Sequence, residues 1–194
     1  MKKSRLEAFS DGVLAIIITI MVLELRAPHA TTLAALLPLW PTILCYVLSY
    51  VYIGIYWNNH HHLWQVVEHV SGGVLWANLH LLFWLSLVPF VTAWMGENHF
   101  AAVPVAAYGV VLLGAGTAYY ICVRVLLATH ERDSPLARAL GTDFKGRISL
   151  VIYAVGIAVS GQLPGLAGLL YAAVAIMWLV PDRRIERVLT RQSR

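Results

Sequence analysis

The sequence predicts an all-α polytopic membrane protein with six transmembrane helices. Of its 194 residues 59% are hydrophobic and only 12% are charged, whereas a soluble domain carries about 25% charged residues. The apolar residues gather in six segments, and nearly all basic residues fall on one side of the membrane that these segments imply. Two cysteines, Cys45 and Cys122, both lie inside apolar segments, which disfavours a disulfide framework. The composition therefore excludes a soluble domain of any size.

The six apolar segments are bounded by turn-forming residues. Ala27-Pro28-His29, Ser71-Gly72-Gly73, Gly96-Glu97-Asn98 and Ser134-Pro135 separate them, and the last two are joined by a tight turn at 161–165. We expect a single six-helix transmembrane unit, spanning 1–194, with helices at about 4–25, 37–58, 74–95, 102–128, 147–161 and 165–180.

The distribution of basic residues predicts the orientation. Six spans put both termini on one side, and that side receives every Lys and Arg except Arg26. The positive-inside rule then predicts cytoplasmic N- and C-termini in a multi-pass protein of the cell membrane. The basic tail at 182–194 is expected to lie on anionic lipid headgroups, and nothing in the sequence indicates nucleic-acid binding. No internal repeat is visible.

Tryptophans mark the expected membrane interfaces. Five of them lie near predicted segment ends, as the residues of aromatic belts do: Trp40, Trp57, Trp64, Trp94 and Trp178.

The first segment begins with polar residues. Its uninterrupted apolar part, 13–23, is too short to span a bilayer, which needs about 20 residues. The span must therefore include Phe9, Ser10 and Asp11, and a carboxylate at that depth normally faces protein or water. A cleaved signal peptide is disfavoured because the same polar residues interrupt its apolar region.

A helical projection divides this first segment into two sides. At about 100° per residue, one stripe is formed by Arg5, Phe9, Gly12, Ile16, Thr19, Ile20 and Leu23. Ser10 and Asp11 lie about 120° and 220° from Ile16, away from the stripe. We expect Ser10 and Asp11 to anchor the helix to its own subunit. From spacing alone, the stripe suits ordinary packing or lipid contact as well as any other role.

Polar residues of the second and third segments lie at the same depth as Asp11. The second segment ends in Asn58-Asn59-His60-His61-His62. Consecutive helical residues point about 100° apart, so these histidines cannot share one metal ion, and we predict no metal site and no cofactor. A hydrogen bond between Asp11 and one of the histidines is a hypothesis. The third segment adds Asn78 and His80, and Pro89 is expected to kink it.

Three stretches resemble the transmembrane protein 175 family. They are Arg5-x-x-x-Phe9-Ser10-Asp11, Tyr56-Trp57-Asn58-Asn59-His60-His61, and Asn78 followed by Pro89-Phe90. Animal members of this family are endosomal and lysosomal potassium channels, and prokaryotic members are single six-helix units. The resemblance covers the whole chain. The sequence does not contain the Thr-Val-Gly-Tyr-Gly loop of ordinary potassium channels.

The resemblance implies a homotetramer in which the first helix of each subunit lines a central pore. It implies that Ile16 forms an aliphatic constriction, that Thr19 contributes to potassium preference, and that Leu23 forms a further ring with Ile20 close to the lumen. It also implies a structural network that holds the helix and shapes gating, which we expect to comprise Arg5, Phe9, Ser10, Asp11, His60, His61, Asn78 and His80.

The predicted function is therefore a potassium-preferring cation leak channel, with K⁺ and other monovalent cations as the permeant ions. The main alternative is a proton-coupled secondary transporter that uses Asp11 and the histidine cluster. A non-conducting membrane scaffold is a third possibility. A membrane enzyme is the least favoured, because no nucleophile–base pair appears.

Overall fold

The computed structural model describes residues 3–65, 67, 69–129 and 144–179 of the chain. Within them every regular element is a helix, and the bounds are α1 Lys3–Leu23, α2 Trp40–Gln65, α3 Gly72–Ser86, α4 Val88–Glu97, α5 Ala102–Ala128, α6 Phe144–Ser160 and α7 Pro164–Leu179. A 3₁₀ helix, Leu33–Leu39, precedes α2. The predicted basic tail at 182–194, together with Lys2, Arg132 and Arg138, lies outside the described residues.

The predicted all-α membrane fold with six helices is confirmed, because α3 and α4 together form the third span. Four of the described helical stretches are long and apolar enough to cross a bilayer: Lys3–Leu23, Leu33–Gln65, Gly72–Glu97 and Ala102–Ala128. The last helix, Pro164–Leu179, is apolar but shorter.

The third span is divided into two helices two residues before Pro89. The break falls at Leu87, whose dihedral angles of −84° and −13° remain in the helical region. Proline has no backbone N–H, so one carbonyl of the preceding turn loses its partner. The helix is therefore interrupted at the expected place, and the kink itself stays a prediction.

Helix α2 extends seven residues beyond its predicted end. It continues to Gln65 because no proline or glycine interrupts it between Gly54 and Gly72. The Asn58–His62 run is therefore helical, and it places consecutive side chains on different faces of α2.

Side chains pack into two core clusters. The larger one runs through the bundle and includes Tyr52, Tyr108 and Tyr171. The smaller one surrounds Trp64 at one end, where Leu6 of α1 meets side chains of α2, α3 and α5. Trp64 is fully buried, so its expected place in an interfacial belt is wrong. Burial of its large ring in the bundle instead fixes the end of α2.

Hydroxyl groups connect α2 to α4, α5 and α7. Ser49 of α2 lies 2.7 Å from the hydroxyl of Thr92 on α4 and 2.9 Å from that of Tyr108 on α5. Tyr52 donates a hydrogen bond of 2.6 Å to the backbone oxygen of Tyr171. Such bonds each contribute about 0.6 to 2 kcal/mol between membrane helices. They hold α2, on which α1 packs, to three other helices of the bundle.

Candidate functional site

Helix α1 packs on the rest of the bundle through a single face. The buried residues of this face are Leu6, Ser10, Leu14, Ile17 and Met21. They recur every three or four residues, which is the spacing of one side of an α-helix. Asn78 of α3 and the end of α2 contact this face near its polar member, Ser10.

The opposite side of α1 carries the predicted stripe and is exposed in the single chain. Ile16 is 58% exposed, Ile20 41% and Leu23 76%. Phe9 is 54% exposed, and Arg5 and Thr19 are exposed as well. Four large apolar side chains thus project from a helix whose other side is fully packed, so this surface is free to contact further chains, lipid or a lumen.

The hydroxyl of Thr19 has a defined orientation. It donates a 2.9 Å hydrogen bond to the backbone oxygen of Ile16. Because the single proton of the hydroxyl is used within the helix, the oxygen presents only lone pairs to its exposed surroundings. Thr19 therefore offers an acceptor at this position, as a cation requires.

A groove separates α1 from α4 beside the stripe. Ile16 and Ile20 line it together with Phe90 and Trp94, and its volume is about 680 Å³. Its charged residues, Glu24, Arg26 and Glu97, lie at the end where α1 stops. The groove is apolar along most of its length and continuous with the exposed stripe.

Ser10 is the first link of a buried hydrogen-bonded chain, which we call the anchor and which comprises Ser10, Asn78, His60 and Trp64. The amide of Asn78 donates to the hydroxyl of Ser10 at 3.0 Å. Nε2 of His60 lies 2.9 Å from the amide oxygen of Asn78. The indole of Trp64 donates to that same nitrogen at 2.7 Å. The anchor thus joins α1, α3 and α2 at one depth.

Asp11 makes its hydrogen bond to Trp57, so the expected bond between Asp11 and a histidine is wrong. The indole of Trp57 donates to the Asp11 carboxylate at 3.1 Å. The Trp57 ring stacks on His61 at 6.0 Å between centroids, and Gln65 in turn lies 2.9 Å from His61. Asp11 projects about 100° away from Ser10 on the helix. It therefore faces the exposed side of α2, and His60 faces the buried side.

His80 does not join these groups. It is exposed on α3, and its Nε2 accepts a 3.0 Å hydrogen bond from Trp84 one turn later. Of the predicted network, the structure connects Ser10, Asn78 and His60 in one chain and Asp11 with His61 in another through Trp57. Among the described residues no three His, Cys, Asp or Glu side chains come together as a metal site would need.

Sequence reasoning missed the parts played by Trp57 and Trp64. Their positions near segment ends predict a membrane interface, but Trp57 precedes His61 by four residues and Trp64 follows His60 by four. Side chains four residues apart on a helix lie next to each other, so this spacing was the available signal. The structure shows that each of these indoles donates a hydrogen bond within the site, Trp57 to Asp11 and Trp64 to His60.

Comparison with known proteins places the site in a family. The family model described as "Endosomal/lysosomal potassium channel TMEM175" matches residues 5–89. A protein of Chryseobacterium sp. (strain P1-3), named a potassium channel, is 53% identical over 97% of this chain and 98% of its own length. This chain belongs to the TMEM175 family.

Two further comparisons agree with this membership. A protein of Streptomyces collinus, also named a potassium channel, is 34% identical over 74% of this chain and 76% of its own. The crystal structure of a lysosomal potassium-selective channel TMEM175 homolog from Chamaesiphon minutus matches with a TM-score of 0.78 at 28% identity. That match covers 92% of this chain and 96% of the crystallised one. The matched residues, 5–89, cover most of α1, all of α2 and α3, and the start of α4, and they include the exposed stripe and the anchor.

Proposed function

We propose that this protein is a potassium-preferring cation leak channel of the cell membrane, in which four copies surround a pore lined by α1. The observation that carries the proposal is the exposed stripe of α1. Large apolar side chains project from the subunit on the side opposite the anchor, and Ile16, for example, is 58% exposed. Because the chain belongs to a potassium-channel family, we infer that this exposed stripe faces a pore lumen. Both termini are proposed to be cytoplasmic.

The constriction is proposed to be a ring of four Ile16 side chains. Aliphatic groups offer no ligand to a dehydrated cation, so a narrow ring excludes water and blocks ions by dewetting. When the ring widens, cations pass with part of their hydration shell. Ile20 and Leu23 would extend the apolar lining toward the far end of the pore.

Selectivity is proposed to come from the cost of partial dehydration and from Thr19. Potassium holds its water less tightly than sodium, so a pore that strips part of the shell favours potassium. Four Thr19 oxygens, each with its proton committed to the backbone of its own helix, can replace a few of the lost waters. The expected preference is modest, because no carbonyl filter replaces the whole hydration shell.

Ile16→Asn tests the constriction. A polar ring should hold water and raise potassium flux into proteoliposomes, and a tenfold rise corresponds to a barrier lowered by about 1.4 kcal/mol. Ile18→Asn is the matched control, since Ile18 lies at nearly the same depth but about 200° away from Ile16 and is half-buried. It should cost stability without raising flux. An equal rise in both variants, or none in Ile16→Asn, would contradict a lining role.

A second candidate is the proton-coupled transporter, which is favoured by the layer that joins Asp11, Trp57 and His61. Asp11→Asn separates the two functions, because asparagine keeps an oxygen that accepts from Trp57 but cannot carry a proton. A channel should retain potassium flux in this variant. A transporter should lose all dependence of that flux on an imposed pH gradient.

A further inference from the structure

A narrow crevice enters the bundle between α2, α5, α6 and α7, and none of the described residues that line it belongs to α1. Aromatic side chains form most of its walls: Tyr52, Tyr56, Tyr119, Tyr120, Tyr153 and Trp178. Its volume of about 40 Å³ admits only a single file of small groups. The crevice is therefore separate from both the stripe and the anchor.

The crevice opens toward the end of the bundle at which α2, α5 and α7 end and α6 begins. At its inner end Tyr52 and Tyr153 are 2% and 3% exposed. Toward the opening, Asn59, Tyr120 and Trp178 are half-buried. Tyr52 and Asn59 are seven residues apart on α2, so the crevice is about 10 Å deep. One leaflet of a bilayer has about 15 Å of hydrocarbon, so the crevice spans most of one leaflet.

Several polar groups along the crevice are already hydrogen-bonded within the protein. The indole of Trp178 donates to the hydroxyl of Ser149 at 2.9 Å, and that hydroxyl donates to the backbone oxygen of Lys145 at 2.7 Å. At the inner end the hydroxyl of Tyr153 donates to that of Tyr52 at 3.3 Å. An ordered water needs several polar partners, and these groups leave it few. An apolar occupant therefore suits the interior better than water.

Two cations lie against the aromatic walls near the opening. The guanidinium of Arg124 is 6.0 Å from the ring centre of Tyr120. Nζ of Lys145 is 5.9 Å from the ring centre of Trp178. The four helices contain no Asp or Glu, and their basic residues are Arg124, Lys145 and Arg147. The crevice thus combines a positively charged opening with an apolar interior.

We propose that this crevice binds an anionic phospholipid, with the phosphate at Arg124 and Lys145 and one acyl chain along the tyrosines. Basic pockets between membrane helices are typical sites for the headgroups of acidic lipids. Lipid tails surround the chain whether it is bound or free, so burial of the chain adds little hydrophobic stabilisation. The headgroup charge therefore sets the affinity, and the shape of the crevice sets the position of the lipid.

A lipid in this position contacts α2, α5, α6 and α7 together. It binds the folded bundle and not the separated helices, so it should stabilise the fold in proportion to its occupancy. The inference concerns binding alone. It does not depend on the proposed function, because no step of it requires ion flux.

Native mass spectrometry of the full-length protein tests the headgroup. Dioleoyl phosphatidylglycerol is compared with dioleoyl phosphatidylcholine, which has the same chains and a zwitterionic headgroup. One phosphatidylglycerol should bind per chain in preference to phosphatidylcholine. Arg124→Gln and Lys145→Gln should each weaken its binding about fivefold, the effect of one basic residue at an anionic lipid surface.

Arg147→Gln is the matched control for these two variants. It removes the same charge from the same turn of α6, but its side chain points about 200° away from that of Lys145. Its binding of phosphatidylglycerol should stay close to that of the wild type. Equal binding of the two lipids, or equal losses in all three variants, would overturn the site. Displacement of the lipid by inorganic phosphate would also overturn it, since the chain would then play no part.

Filling the crevice tests the position of the chain. A Cβ at Gly116 would lie 2.9 Å from Cδ2 of Leu150 and 3.6 Å from the ring of Tyr153, so Gly116→Leu occupies the space between them. Gly168→Leu is the control, because a Cβ there meets nothing within 4 Å. Phosphatidylglycerol should raise the unfolding temperature of the wild type and of Gly168→Leu but not that of Gly116→Leu. An unchanged preference for phosphatidylglycerol in Gly116→Leu would overturn the proposal, and if that variant fails to fold, the charge variants decide.

Discussion

Replacing Ser10 by alanine is expected to destabilise the fold by about 1–2 kcal/mol. The change removes the acceptor of the 3.0 Å hydrogen bond from Asn78, which is 1% exposed. A buried donor without a partner costs about 1–3 kcal/mol, whereas hydrogen bonds between membrane helices average about 0.6 kcal/mol because other partners are found. The amide oxygen of Asn78 already faces Nε2 of His60. Turning the amide over would place two N–H donors, those of Asn78 and Trp64, at that one nitrogen. The expected cost therefore lies above the membrane average.

Reversible unfolding in mixed micelles measures this cost. Ser86→Ala is the control, because the exposed hydroxyl of Ser86 donates to the backbone oxygen of Phe83 in its own helix, and its loss should cost less than about 0.5 kcal/mol. Combining Ser10→Ala with Asn78→Leu should cost less than the sum of the single changes, since two apolar partners leave nothing unpaired. Equal losses for Ser10→Ala and Ser86→Ala, together with additive losses in the double variant, would refute the reasoning.

Four further predictions concern α1 and the core. Thr19→Ala should lower the preference for K⁺ over Na⁺ in bi-ionic reversal potentials, and Thr19→Ser, which keeps the hydroxyl, should preserve it. Asp11→Ala should reduce the yield of assembled, conducting protein without changing ion preference, because the acceptor for Trp57 is lost; a changed preference would mean that Asp11 faces the lumen. Tyr171→Phe should be neutral or stabilising, since its hydroxyl is buried without a partner among the described residues. Tyr108→Phe should cost about 1 kcal/mol in the same unfolding assay, because its hydroxyl is hydrogen-bonded to a buried serine.

Local periodicity accounts for what could be predicted about α1. The angular positions of Ile16, Thr19, Ile20 and Leu23 follow from the helical repeat, and the structure leaves all four exposed. Ser10 was expected to face the subunit and is buried there. These properties depend on one helix alone, so the order of residues is sufficient to derive them.

Partners between helices could not be derived in this way. Asp11 and Ser10 are adjacent in sequence, yet one bonds to Trp57 on the exposed side of α2 and the other to buried Asn78 on α3. Because α2 continues to Gln65, its three histidines point in different directions, and only one direction leads to Asn78, that of His60. The rotation of α2 about its own axis depends on packing around Trp64, and no property of α2 alone predicts it.

The sequence by itself determined an all-helical membrane protein whose first helix has one aliphatic side and one polar side. It also carried the residues that indicate the family. Only the tertiary structure decided that His60 and Trp64 share a nitrogen with Asn78 and that the bundle leaves the stripe containing Ile16 uncovered. The physical reason is that side-chain periodicity is a local property, whereas a hydrogen-bond partner is fixed by the relative rotation and depth of helices that are distant in sequence.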